Sequence, residues 1–262
     1  MKKIGFLQAD SLVKLINWIA IPAGAVYVFS MLLVPVFTFD WIHVQAVWDR
    51  WQPLNVGMLA FLSSVVALNI GKYNADRQTQ RNFRAAQAFL PDALSELCDY
   101  FEQSSEILRK AWELDRTEKM NFQTALPPKG WKSVFKECIR YAKPDVGDFL
   151  SQILVWLQVH DARLRGYVEQ QGDRRYVNSS KLSILTYLVR LGELQAMVNK
   201  LFPYARSMGE FDGSPLVWED YYMAYRLLKI DADYFYVSEH SNLEINTKRH
   251  IEKQNSDDHD AN

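Results

Sequence analysis

From Leu15 to Phe39 the chain carries no charged side chain, and a second uncharged run extends from Pro53 to Gly71. About 20 predominantly apolar residues take an α-helix across the hydrocarbon core of a bilayer. The first run meets that length with room to tilt. The second is close to the lower limit, with Asn55 and Asn69 near its ends and only Ser63 and Ser64 polar between Met58 and Leu68. A serine in a helix can bond back to a carbonyl one turn earlier, so its cost there is modest. The two runs therefore read as a pair of membrane-crossing helices, at about 15–39 and 53–71. Averages over the chain hide them. A net charge of −1 and a mildly negative mean hydropathy resemble a soluble protein because two unlike pieces are averaged.

Lys2, Lys3 and Lys14 make residues 1–14 a basic leader, and Ala23-Gly24-Ala25 has the small-x-small form of a signal-peptide cleavage site. The apolar run continues past that site through "VYVFSMLLVPVF", which fits an uncleaved anchor better. Lys72, Arg77, Arg81 and Arg84 follow the second run, whereas Arg50 is the lone basic residue between the runs, beside Asp49 and near Asp40. Basic residues mark the cytoplasmic side. Both termini are expected inside a bacterial cell and residues 40–52 outside the inner membrane. Pro22 and Pro35 each lack an amide donor, so the first crossing is expected to kink or break near one of them.

One face of the second run is unusual. Gly57, Ala60, Ser64, Ala67 and Gly71 recur at alternating spacings of three and four, which places them along one side of a helix. No hydrophobic force pulls helices together in lipid, and small side chains let two backbones approach closely. This face is expected to pack on another helix. That helix is either the first crossing, through Ala20 and Gly24, or a copy of the chain in a homo-oligomer, in which several copies would turn Ser63, Ser64 and Asn69 toward a water path. In the connecting segment, Trp41, Val44, Trp48 and Trp51 would share one face of a short helix lying on the outer leaflet. Trp41, Trp48 and Trp51 are candidate interfacial anchors, since an indole ring favours the headgroup region, where its N–H stays wet.

Residues 72–262 supply one domain's length of chain. Their charge is nearly balanced, because Lys2, Lys3, Lys14 and Arg50 are offset by Asp10, Asp40 and Asp49 upstream. No basic excess points to non-specific nucleic-acid binding. Cys98 and Cys138 are few and distant, as in free thiols of a reducing compartment. The patterns are helical throughout. "KYNADRQTQRNFRAAQAFL" continues the second crossing, "PDALSEL" opens a helix to about Arg116, and "TALPPKG" is a loop. "WKSVFKECIRYA" is a short helix, and Pro144 opens a long one with Val146, Phe149, Ile153, Leu157, Leu164 and Tyr167 on its apolar side. "NSSKLSILTYLVRLGELQAMVNKLF" forms another, and Trp218, Tyr221, Tyr222, Tyr225 and Leu228 line a last one, most simply as core. Residues 72–237 are thus expected to form a cytoplasmic α-helical bundle, and 238–262 a polar, disordered tail. The fold class is all-α, a transmembrane hairpin followed by that bundle.

Catalytic signatures are missing: no phosphate-cradling loop, no dinucleotide fingerprint, no nucleophile elbow. Of the histidines, His43 lies in the outer loop, and His240, His250 and His259 in the polar tail, so no metal or cofactor is implied. His160-Asp161, with Arg163 and Arg165, is the one concentrated polar cluster, and it reads as surface salt bridging because adjacent residues on a helix do not face each other.

Arg77, Arg81 and Arg84 line one face just after the second run. They suit anionic headgroups of the lipid bilayer, or an anionic partner such as an acidic protein surface or a nucleic acid. Arg163, Arg165, Arg174 and Arg175 are a weaker candidate. A two-crossing hairpin with a helical inner domain and no enzyme motif reads as an effector that assembles in the membrane and leaks ions, or as a scaffold that recruits proteins there. In architecture, the basic leader, "LINWIAIPAGAVYVFSMLLVPVF", the Trp-rich loop, the small-faced second helix and its arginine-rich extension resemble the two-helix membrane effectors of bacterial retron-type anti-phage systems. The resemblance spans mainly residues 12–90. It implies a non-enzymatic protein that damages the inner membrane in abortive infection, with a reverse transcriptase and an RNA–DNA nucleoprotein as partners.

Overall fold

The computed structural model describes residues 4–34, 37, 41–113, 125–171 and 181–260. The chain is all-α. The helices are α1 (Ile4–Val28), α2 (Trp41–Arg50), α3 (Gln52–Gln87), α4 (Leu90–Glu113), α5 (Trp131–Tyr141), α6 (Pro144–Gln171), α7 (Lys181–Ala205), α8 (Trp218–Leu227) and α9 (Leu243–Asp260). A minimal antiparallel ribbon, β1 (Tyr236–Ser238) and β2 (Ser241–Asn242), precedes α9. The chain divides into two compact units, residues 1–79 and 80–262.

In the first unit α1 continues through Pro22 and passes into a π-helical turn, Phe29–Leu33, just before Pro35. There the Val34 amide reaches back to the Phe29 carbonyl. A π turn is one of the few devices that redirect a helix, so the departure from α-geometry falls beside the second proline and not the first. The segment between the apolar runs forms the expected short helix, α2. α3 runs without interruption from the second apolar stretch into the arginine-bearing segment.

In the second unit α4 and α7 pack along each other at the centre, with α5, α6, α8 and α9 around them. Every residue from Leu191 to Val198 is buried, the signature of a helix enclosed on all sides. Gly192 is required there: a methyl group in its place would overlap the Tyr225 ring. The α6 stripe is core as its periodicity predicts, with Val146, Ile153, Leu157, Leu164 and Tyr167 buried. On α8, Tyr221 and Tyr225 are core, whereas Tyr222 is exposed. Cys98 and Cys138 are free thiols, and burial raises both, Cys138 to about 11.

The tail is the main departure from the sequence reading. Residues 243–260 form α9, and Leu243 and Thr247 are fully buried. The Thr247 hydroxyl meets the Tyr225 hydroxyl at 2.7 Å. The buried Glu193 carboxylate accepts from Arg190 at 2.7 Å, contacts His250 at 3.1 Å and accepts from Gln254. Burial alone would push Glu193 up, but the bonds from His250 and Arg190 outweigh it and hold this carboxyl below its ordinary value. A buried charge needs such partners, and two of them come from the segment whose composition suggested disorder.

Candidate functional site

The two apolar helices meet along a narrow seam. On α1 it is Asn17, Ala20, Gly24 and Tyr27; on α3 it is Asn55, Leu62, Val65 and Asn69. Asn17 faces Asn69, Gly24 faces Leu62 and Tyr27 faces Asn55, so the helices run antiparallel. Ala20 and Gly24 let them close: a Cβ on Gly24 would stand 2.9 Å from Leu62 Cδ2. Each end of the seam is tied by polar groups. The Asn17 and Asn69 amides exchange two hydrogen bonds, each 2.9 Å, and Asn69 Nδ2 also donates to the Val65 carbonyl at 2.8 Å. At the other end the Tyr27 hydroxyl donates to Asn55 Oδ1 at 2.9 Å, and Asn55 is only 4% exposed. Paired amides favour these faces over others in an apolar setting, although Asn55 Nδ2 has no partner among the described residues.

The small face is elsewhere. Gly57, Ala60, Ser64, Ala67 and Gly71 are all exposed, and nothing lies within 4 Å of where a side chain on Gly57 or Gly71 would begin. They are offset by two residues from the seam positions 55, 62, 65 and 69, which is about 200° around a helix. The expectation that this face packs against Ala20 and Gly24 is therefore corrected: those two residues do line the seam, but against Leu62 and its neighbours. Ser63 and Ser64 bond back to the Leu59 and Ala60 carbonyls at 2.7 and 2.9 Å, as a serine in an apolar helix is expected to do. Asn69 lies on the seam, spent on Asn17, and does not join the small face.

Of the three tryptophans, Trp41 is 61% exposed and Trp51 is exposed as well. Trp48 is half-buried, and its indole N–H donates to the Met31 carbonyl at 3.1 Å instead of staying wet. Arg77, Arg81 and Arg84 are all exposed on α3, Arg77 lying over the Tyr73 ring at 5.0 Å.

The His160-Asp161 cluster is not a surface feature throughout. Asp161 pairs with Arg165 and takes a bond from Tyr100. His160 is buried between the edges of Tyr100 and Phe101, its Nε2 without a partner among the described residues. Burial lowers it to about 4, so at neutral pH the ring is uncharged. The signal that would have found it was present: 153, 157, 160, 164 and 167 continue the apolar stripe at spacings of four and three. Arg163 is exposed, and Arg174 and Arg175 lie outside the described residues. No group of three metal-ligating side chains occurs among the described residues.

No protein-family model, no curated protein and no solved structure matches this chain. What it does must be argued from its own residues.

Proposed function

We propose that α1 and α3 cross the bacterial inner membrane, with both termini in the cytoplasm and residues 40–52 outside. The orientation follows the basic residues on either side of the two runs; one observation carries the crossing itself. Both helices are long and apolar enough to span, yet only 17% of Lys14–Met31 and 11% of the most apolar window of the second helix is buried within the chain. Trp18, Ile21, Val26 and Phe29 on the first helix side, and Leu54, Val56, Leu59 and Val66 on the second, point outward. A soluble monomer rarely exposes apolar surface on that scale. Alkaline carbonate extraction tests it: the chain should stay with the membrane pellet, and release into the supernatant would overturn the assignment.

Within that membrane reading the chain acts as a non-enzymatic effector of an anti-phage system, perturbing or depolarising the membrane when released or triggered. The open small face supports assembly. The hairpin closes with a different face, leaving Gly57, Ala60, Ser64, Ala67 and Gly71 as a surface for close approach by another copy. Arg77, Arg81 and Arg84 then serve the headgroups or an anionic partner, which on the retron resemblance is a reverse transcriptase with its RNA–DNA product. The deciding experiment is membrane potential, read with a voltage-sensitive dye in bacteria expressing the chain alone and during phage infection with its neighbouring genes. Depolarisation before growth arrest in either condition supports an effector. Normal potential in both, with the protein in the inner membrane, overturns it in favour of a membrane-anchored scaffold. The outward Tyr222, Met223 and Leu227 of α8 give that second reading a surface on which to recruit proteins.

A further inference from the structure

Just past the second apolar run, α3 carries an aromatic ring and a cation as a pair. Tyr73 and Arg77 stand one turn apart, both in the first unit and both exposed, Tyr73 by 56%. The Arg77 guanidinium lies 5.0 Å from the centroid of the Tyr73 ring. Side chains on a helix lean toward its N-terminus, so Arg77 reaches back toward the apolar run and covers the ring on the way. Spacing along α3 fixes where this pair falls. Trp51, exposed as well, stands at the other end of the run, and Tyr73 follows it 22 positions later. At 1.5 Å per residue that is about 33 Å, close to the roughly 30 Å of a hydrocarbon core. Two exposed aromatic rings thus bracket one hydrocarbon thickness, the level at which amphipathic rings settle. The headgroup layer adds about 5 to 7 Å on each side. The Arg77 backbone begins about 6 Å beyond Tyr73, which puts the guanidinium inside that layer.

We propose that Tyr73 and Arg77 form the inner-leaflet anchor of α3, the ring at the hydrocarbon edge and the guanidinium binding the phosphate of a phospholipid. The inference rests on the membrane reading above. A guanidinium matches a phosphate with two parallel N–H bonds, and the ring under it steadies a side chain otherwise free to turn. Arg77 then has a task apart from any protein or nucleic-acid partner. Tyr73 is two residues past Gly71, about 200° around the helix. The anchor therefore leaves the small face clear, and one chain can hold its lipid and pack against a copy at the same time.

The test places the full chain in vesicles of phosphatidylethanolamine and phosphatidylglycerol. Nitroxides are attached at Val66→Cys, Ile70→Cys or Asn74→Cys in a Cys98→Ala, Cys138→Ala background, and their collisions with oxygen and a water-soluble nickel chelate are read by electron paramagnetic resonance. The labels at 66 and 70 should lie in hydrocarbon and the label at 74 among the headgroups. Tyr73→Ala with Arg77→Gln should shift all three depths by about 5 Å, one helical turn, at unchanged helix content. Magic-angle-spinning NMR reads the phosphate contact directly: dephasing of arginine guanidino carbons by lipid phosphorus should lose one component in Arg77→Gln. A label at 74 still in hydrocarbon, unchanged depths in the double variant, or dephasing that Arg77→Gln leaves intact would each overturn the anchor. All three labels in water would instead overturn the membrane reading itself, so the two failures are told apart.

Discussion

The indole N–H of Trp48, on α2, donates to the main-chain carbonyl of Met31, in the π turn that follows α1, at 3.1 Å. This bond fastens α2 to the point where the first helix leaves α-geometry. Trp48→Phe keeps the ring and removes the donor, and should destabilise the first unit by about 1 kcal/mol. Trp41→Phe and Trp51→Phe, whose rings are exposed, should change little. Thermal melts of the three purified variants in one detergent check this, and equal melting temperatures would show that the bond contributes nothing.

The two faces of α3 make opposite demands on substitution. Gly24→Leu puts a side chain into Leu62 and should splay the helix pair, lowering its melting temperature. Ala60→Leu and Ser64→Leu extend into open space and should leave the folded hairpin and its insertion intact. If close packing between copies builds the active form, both should nevertheless abolish membrane depolarisation. Full activity with correct insertion in both variants would exclude the small face from assembly.

Much of this was readable from the residues, and what was not has physical causes. The helix openings at Pro91 and Pro144, the loop before Trp131 and the α6 core stripe follow from local chemistry, which proline and periodicity report directly. The hairpin seam did not, because two faces of α3 share the same alternating spacing. Small residues signal that a close approach is possible, but the faces that meet are the ones on which Asn17 bonds Asn69 and Tyr27 bonds Asn55. α9 was hidden for a similar reason. Its composition is polar, and what holds it, Glu193 and Tyr225, lies far away in the chain, so no local window contained both partners. His160 belongs to the apolar stripe by spacing, but Asp161, Arg163 and Arg165 beside it have the composition of a solvated face.

Arg77, Arg81 and Arg84 are exposed, so replacing all three by Gln should not disturb the fold. It should weaken recovery of an anionic partner from cells more than it weakens insertion, and the loss should grow with salt, since exposed charges are screened within about 10 Å at 0.1 M. Co-purification of the wild type and the triple variant at two salt concentrations reads this. Unchanged recovery would leave these arginines the single role of holding orientation at the headgroups.

The buried Glu193 should act as a latch for α9. Glu193→Ala leaves His250 and Gln254 without their acceptor and Arg190 without its counter-charge. Because Arg190 stays partly solvated, the cost should be about 2 kcal/mol, below the usual figure for breaking a fully buried pair. The visible result should be earlier proteolytic cleavage after α8, with the rest of the bundle still protected. Tyr225→Phe, which removes the hydroxyl facing Thr247, should loosen the same segment less, by about 1 kcal/mol. Cleavage at wild-type rate in Glu193→Ala would mean that Leu243 and its apolar neighbours hold the helix alone.

His160 gives the second unit a pH dependence whose sign is fixed by burial. In the unfolded chain the ring takes up a proton near 6.5; in the fold, burial postpones this to about 4. Between those values the unfolded state binds a proton that the folded state does not, so stability is full above about 6.5 and declines as the pH falls toward 4. At about 1.4 kcal/mol per pH unit the loss approaches roughly 3 kcal/mol. Glu193, held below its ordinary value, adds to acid sensitivity only as the pH falls through the carboxylate range, so the two effects occupy different windows. His160→Phe should flatten the decline between pH 6.5 and 4.5 while leaving the lower one in place, because the new ring fills the space between Tyr100 and Phe101 without a titrating nitrogen. Urea melts of wild type and variant at pH 7.0, 5.5 and 4.5 measure it. Parallel losses in the two proteins would show that the unpartnered Nε2 is reached by water and titrates as it does in the unfolded chain.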